Sequence, residues 1–221
     1  MRSSVNLYTT LVFDCDGVVL NSNKVKTEAF YQATLPFGQA AASAMVDYHV
    51  ANGGISRYKK FAHFLEQIVP IHAEHQGPDI DGLLQAYASH VREGLLSCEL
   101  SPALEMLRRQ IPDTRWLIVS GGDQTELRDV FTQRGIADWF DASIFGSPDT
   151  KDEILARELA SGNIRQPALF LGDSKYDYKA ATAAGLDFVF LSDWSEVVDW
   201  HAWVAEQGID SVNSIQSLAE I

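Results

Sequence analysis

The sequence is short of positive charge, of cysteine and of long apolar runs, and each shortage removes a class of function. Its 221 residues carry 17 Lys and Arg against 30 Asp and Glu, a formal charge of −13 at pH 7. Wrapping nucleic acid or sitting on an anionic membrane surface needs a basic face, so this balance excludes both. Small-molecule chemistry is the default that remains. Cys15 and Cys98 are the only cysteines; they imply no disulfide framework and point to a reduced, cytoplasmic protein. No apolar run approaches the roughly 20 residues of a membrane span, and the opening MRSSVNLY lacks the apolar core of a signal peptide. Internal repeats and low-complexity tracts are missing too. The length suffices for a full core, as one domain or as a domain with a large insertion.

What is present centres on LVFDCDGVVL, residues 11 to 20. Leu11, Val12 and Phe13 show no polar alternation, which suits a parallel strand covered on both faces. The run stops at Asp14 and Asp16, and Gly17 then permits a tight turn out of the sheet. Two carboxylates this close repel, so one holds a proton or a cation lies between them. A hard, oxygen-seeking ion such as Mg²⁺ takes a carboxylate and a carbonyl, both of which a DxD turn supplies. The plain alternative is a solvated turn, and the other strand ends decide between them.

No second strand follows until TRWLIVSGG at 114 to 122. Residues 21 to 96 read instead as helices: KVKTEAFYQATL, AAASAMVDYHV, SRYKKFAHFLEQIV with Tyr58, Phe61, Leu65 and Ile68 at helical spacing, and DIDGLLQAYASHVREGLL. We expect an inserted helical domain over 21–96, joined at NSN (21–23) and SCELS (97–101) to a domain of residues 1–20 and 97–221.

From Ser101, an expected N-cap with Pro102 at the first helical position, helices and strands alternate. WLIV (116–119) ends in Ser120. A helix opens at Asp123, with Glu126 placed as in a capping box, and closes at Gly135. ASIF (142–145) leads through Gly146, Ser147 and Pro148 to a helix carrying Lys151. ALFL (168–171) runs into Gly172 and Asp173, then a helix ending at Gly185. DFVFL (187–191) precedes a helix near 195–206. This alternation predicts an α/β fold with a doubly wound parallel sheet, whose ligands bind at the carboxyl ends of the strands.

Those ends carry Asp14 and Asp16, Ser120, Lys151, and Asp173 with Asp177. Thr150 and Glu153 form a capping-box pair that puts Lys151 in a helix's first turn, where the macrodipole disfavours a cation. A phosphate and a carboxylate at the strand ends would favour it. Ser120, with the N–H groups of Gly121 and Gly122, can cradle an oxyanion. Asp173 reads as a further metal ligand. Asp177 is either an outer ligand or the partner of Ser174 in an S-x-x-D cap. His72 and His75 lack a third ligand and read as surface residues. Trp194, Trp200 and Trp203 read as helix-to-sheet packing, with a dimer contact as the lesser reading, and Cys15 as a packed neighbour.

Taken in order, FDCDGV, IVSGG, Lys151 in GSPDTKDEIL, and LGDSKYDYKAATAAG resemble the four motifs of the haloacid dehalogenase-like (HAD) hydrolase superfamily. The helical insertion is similar to the mobile cap of its phosphatase and sugar phosphomutase branch. The resemblance implies that Asp14 is a nucleophile forming an aspartyl-phosphate. It implies that Asp16 protonates the leaving oxygen and then deprotonates water, its carbonyl helping to hold Mg²⁺. Asp173 would complete the metal ligands, and Ser120 and Lys151 would bind phosphoryl oxygens. The second Asp of the DxD favours phosphate esters over the dehalogenase and phosphonate branches.

The expected substrate is a small phosphorylated metabolite, sugar phosphate-like, selected by the insertion. Residues 21 to 95 hold six Lys or Arg against seven Asp or Glu, so cations concentrate there relative to the remainder. In GGISRYKKF we expect Gly54, Ser56 and Arg57 to face the substrate at a helix N-terminus, and Lys59 and Lys60 to be solvated. The enzymatic alternative is a phosphomutase using the same intermediate, told apart by its product. An alternative of another class is a non-hydrolytic phospho-acceptor or binding module. Receiver-type acceptors place the acceptor after a later strand and lack a large helical insertion. Monomer and homodimer are both compatible with the sequence.

Overall fold

A computed structural model describes residues 5–219. Strand β1 (Thr10–Phe13) is followed by five helices, α1 (Asn23–Thr34), α2 (Gln39–Ala51), α3 (Arg57–His63), α4 (Val69–His72) and α5 (Ile80–Ser97). The chain then runs α6 (Leu104–Gln110), β2 (Arg115–Asp123), α7 (Gln124–Gln133), β3 (Ile144–Ser147), α8 (Lys151–Ala160), β4 (Ala168–Gly172) and α9 (Lys175–Ala183). It closes with β5 (Asp187–Leu191), α10 (Trp200–Gln207), β6 (Asp210–Val212) and α11 (Gln216–Ala219).

The six strands are all parallel, in the order β3-β2-β1-β4-β5-β6. Every residue of β1 is buried, because the strand has sheet on both edges and helices on both faces. Leu11 and Phe13 pack with Trp116 and Ile118 towards α6, α7 and α11. Val12 packs with Leu117 and Phe170 towards α8 and α9. The chain passes from β1 to β2 on one side of it and returns to its other side at β4. The crevice between β1 and β4 is thus the switch point at which open α/β sheets bind ligands.

The helices between β1 and β2 bring together Phe30, Phe61, Phe64 and Tyr87, with the Phe30 ring 4.4 Å from that of Tyr87, in an apolar core continuous with Phe13 and Trp116 of the sheet. The stretch 56–69 is not one regular helix: a π turn, Phe64–Ile68, joins α3 to α4. Pro70 has no N–H and its ring excludes the carbonyl four residues earlier, so the helix widens there. Burial accordingly falls on Phe61, Phe64 and Ile68, while Leu65 is half-buried. The two connections pair with each other: Asn21 N–H donates to Glu99 O and Ser101 N–H to Val19 O, both at 2.9 Å. Arg134, the C-cap of α7, donates to the Leu95 and Cys98 carbonyls, each at 2.8 Å.

Four local expectations change. Ser101 is not an N-cap; its amide is taken by Val19, and α6 starts only at Leu104, after Ala103 in the left-handed region (φ 64°). Strand β3 begins at Ile144, two residues beyond the expected start at 142. Helix α10 begins at Trp200, so residues 192–199 form a loop. Strand β6 is an edge strand with mostly exposed residues, which gives it no apolar run to recognise. Trp200 and Trp203 pack on Phe190 as expected, each with ring centres 5.5 Å away. Among the described residues no helix is long and apolar enough to cross a membrane.

Candidate active site

The end of β1 delivers Asp14 into the switch-point crevice, where its amide donates to Leu171 O on β4 at 2.9 Å. Its carboxylate is 3 % exposed overall, and Oδ1 accepts from the Cys15 amide at 2.7 Å and from Lys151 Nζ at 2.9 Å. Oδ2 has no hydrogen bond among the described residues. Lys151 reaches Asp14 from the first turn of α8, whose Thr150–Glu153 capping box is fully formed. The same Nζ pairs with Asp177 Oδ1. Burial disfavours the Lys151 charge, but Asp14 and Asp177 outweigh it and hold the lysine above its ordinary range. Two buried carboxylates are what retain a cation at a helix start.

Asp177 closes the other side. Its Oδ2 accepts from the Ser174 hydroxyl at 2.7 Å and from the Ser174 and Asp173 amides at 3.1 and 3.3 Å, so it caps α9 while it positions Lys151. Asp173, at the end of β4, accepts from Asn23 Nδ2 at 2.7 Å, and its carbonyl accepts from the Ser195 hydroxyl at 2.5 Å. Carboxylate oxygens of Asp14, Asp173 and Asp177 all lie within 4.8 Å of one another. Burial, together with Asp177 and Asp16, pushes Asp14 up to about 7 against the pull of Lys151. Burial and Asp14 push Asp173 well above the carboxylate range.

Asp16 points elsewhere, to the Ser22 hydroxyl at 2.6 Å and to Lys26 on α1. Burial would raise its pKa, but Lys26 and Ser22 prevail and hold Asp16 below its usual value, as a carboxylate. Ser120 is fully buried within β2, which runs on to Asp123 through a register shift after Val119 instead of ending at Ser120, and its Oγ accepts from the Gly122 amide at 3.0 Å. Gly121 has no room for a side chain, since a Cβ would meet Gly54 O at 2.2 Å.

That approach brings the inserted helices onto the strand ends. A cavity of about 60 Å³ lies between them, lined by Asp14, Asp16 and Asp173 below and by Gly54, Arg57 and Lys60 from the insertion. Ser56 lines a neighbouring pocket with Lys59 and Thr150 instead, and caps α3. Arg57 is held by Glu126 on α7 and lies over the Tyr87 ring, 4.4 Å from its centre. Lys59 is exposed as expected, but Lys60 is not solvated: it is 1 % exposed, turned inward because α3 packs that face on Phe30 and His49.

Residues 8–185 match the haloacid dehalogenase-like hydrolases. The chain belongs to this hydrolase family. Among solved structures it is similar to a predicted phosphatase from Clostridium acetobutylicum, with 17 % identity, 97 % of each chain covered and a TM-score of 0.73. It is similar to CbbY from Rhodobacter sphaeroides in complex with phosphate, with 16 % identity, 96 % of each chain and a TM-score of 0.69. It is also similar to a predicted phosphoglycolate phosphatase from Haemophilus somnus, with 18 % identity, 85 % of this chain and 87 % of that one, and a TM-score of 0.67. No curated protein matches it in sequence.

For a haloacid dehalogenase-like hydrolase the donor set fits a hard divalent cation. It is all oxygen, and three buried acids face a single lysine, so one further cation would relieve their mutual repulsion. Around the site stand further residues that sequence reasoning passed over. Asn23 joins Asp173 to the Trp194 carbonyl, 2.7 and 2.8 Å away, and Thr27 donates to Glu196 at 3.2 Å. Lys26 follows Asp16 by ten residues in the polar stretch NSNKVK, which is the one local hint that it could fold back onto the DxD turn.

Proposed function

We propose that this hydrolase is a Mg²⁺-dependent phosphatase acting on a small phosphorylated metabolite through an aspartyl-phosphate. The observation that carries the reading is the Asp14 carboxylate. It is buried at the cavity wall, with Oδ1 held by Lys151 and the Cys15 amide and Oδ2 without a partner among the described residues. An unbonded oxygen on a fixed carboxylate is the arrangement an in-line nucleophile needs.

Asp14 Oδ2 attacks phosphorus, and the bond from phosphorus to the substrate's ester oxygen breaks. Asp16 donates a proton to that oxygen as the alcohol leaves. Water then attacks the acyl phosphate and Asp16 recovers a proton from it, releasing inorganic phosphate and free Asp14. Lys26 bears on both roles: it keeps Asp16 ionised, which suits the second step, and its hold must loosen for the first. Lys151, Ser120 and the Gly121 amide hold the phosphoryl oxygens, and Asp177 positions Lys151. Asp14, Asp173 and the Asp16 carbonyl would hold Mg²⁺, which supplies charge neutralisation for phosphoryl transfer. Residues 21–96 act as a cap that closes over the substrate.

Phosphate release from a panel of sugar phosphates, nucleotides and small phosphorylated acids, with Mg²⁺ or EDTA, tests the reading beside Asp14→Asn. Metal-dependent release that Asp14→Asn abolishes is the expected result. An isomerised sugar phosphate without net release would make the protein a mutase. Neither product from any compound would reject the phosphatase.

A further inference from the structure

Lys60 is the buried charge that phosphoryl transfer leaves without a task. It lines the same cavity as Asp14, yet among the described residues its hydrogen-bond partners are only His49 Nδ1 at 2.6 Å and the His49 carbonyl at 3.4 Å. The Phe30 ring centre is 5.4 Å from its Nζ. The other cations of the cavity wall are each neutralised, Lys26 by Asp16 and Arg57 by Glu126. Among the described residues no carboxylate pairs with Lys60. Burial and the nearby Lys26 push it down to about 7, against Asp16 and Glu196, which act on it without pairing. His49 offers no charge in return, since burial and Lys60 push it down to about 2 and leave it a neutral acceptor. A buried ammonium with no counter-ion is stable in a fold only at a cost, and such costs concentrate where a ligand supplies the missing charge.

We propose that Lys60, oriented by His49, binds a second anionic group of the substrate, the carboxylate of a short phosphorylated acid. The proposal rests on the phosphatase reading and narrows its substrate class. The cavity is small, about 60 Å³, which favours a short substrate. The insertion side of its wall mixes the apolar Phe30, Val50, Ile55 and Tyr87 with Lys26, Arg57 and Lys60; Lys26 and Arg57 are already paired, so Lys60 is the cation there left for an anion of the substrate. A second phosphate is a larger anion of about −1.5 to −2 charge, more than one ammonium matches, and the assay separates the two.

Four two-carbon esters of matched length serve as probes: carboxymethyl phosphate, ethyl phosphate, 2-aminoethyl phosphate and ethylene glycol bisphosphate. The wild-type protein is expected to prefer carboxymethyl over ethyl phosphate by about tenfold or more in kcat/KM, with 2-aminoethyl phosphate worst. In Lys60→Met that ratio should collapse towards one, mainly through KM. An equal ratio in the wild type, or a ratio that survives Lys60→Met, overturns the proposal. A lysine-dependent preference for the bisphosphate alone overturns the carboxylate assignment. Should no ester release phosphate, the phosphatase reading fails first, and calorimetry of carboxymethyl phosphate on Asp14→Asn decides separately. There Lys60→Met should weaken Kd about tenfold, and an unchanged Kd sinks the lysine's role. Lys60→Met should melt at or above the wild type without ligand, since an unpaired buried charge is removed; a fall instead marks Lys60 as structural. If that variant does not fold, Lys60→Gln removes the charge while keeping a donor for His49, and the same ratio is read.

Discussion

Arg57 on α3 and Glu126 on α7 form an ion pair that ties the inserted helices to the sheet, with only 6 % and 12 % of their side chains exposed. Beside it the Tyr58 hydroxyl donates to Asp123 Oδ2 at 2.7 Å, and Asp123 also caps α7 through the Glu126 amide at 2.9 Å. The expected capping box at α7 is therefore half made: Glu126 is turned to Arg57 instead of back to its own helix. Truncation in Glu126→Ala strands a buried guanidinium and should cost about 3 kcal/mol. Urea unfolding measures it, and Arg57→Met together with Glu126→Ala should cost less than the sum of the two single variants.

Gly17 sits at φ +73°, and a Cβ there would lie 2.0 Å from Asp173 Oδ2. Gly17→Ala meets both the left-handed penalty of about 1–2 kcal/mol and a carboxylate held in place by Asn23. The substitution should lower stability by at least that amount and reduce phosphate release about a hundredfold by displacing Asp173. Parallel melting and rate measurements would show whether both effects appear.

Lys151 is the only cation within the Asp14, Asp173 and Asp177 cluster among the described residues. Lys151→Met leaves those carboxylates facing one another in a dry site, a loss of about 3–5 kcal/mol. Under the proposed mechanism phosphate release should fall by about a hundredfold or more, because Lys151 is the cation assigned to the phosphoryl oxygens. Activity that persists in a folded Lys151→Met protein would remove the lysine from the mechanism.

The pH dependence of stability carries a sign for Lys60. Its folded value is about 7 against an ordinary 10.5, so between the two the unfolded chain binds a proton that the folded chain has released. Stability from this group therefore rises with pH across that window, by at most about 1.4 kcal/mol per unit. Its penalty is complete below about pH 7, where both states are protonated. Lys60→Met should exceed the wild type in stability most at about pH 6, and least at about pH 10, when chemical unfolding is compared without ligand.

The amino-acid sequence by itself determined the sheet's character and which residues stand at its carboxyl edge. Apolar runs stop at Asp14, Ser120 and Asp173, and the caps at Thr150 and Ser174 are read from residues three positions apart, because periodicity and capping are local effects. Strand β6 escaped because an exposed edge strand of three residues carries no apolar pattern. The tertiary structure alone decided which charges meet. Lys26 finds Asp16 and Lys60 finds His49 across ten and eleven residues, and Arg57 finds Glu126 across 69. A lysine's burial and its counter-ion depend on which element packs over it, and no local pattern encodes that choice. Lys60 reads as a solvated charge in GGISRYKKF and becomes a buried one only when α3 closes against Phe30 and His49.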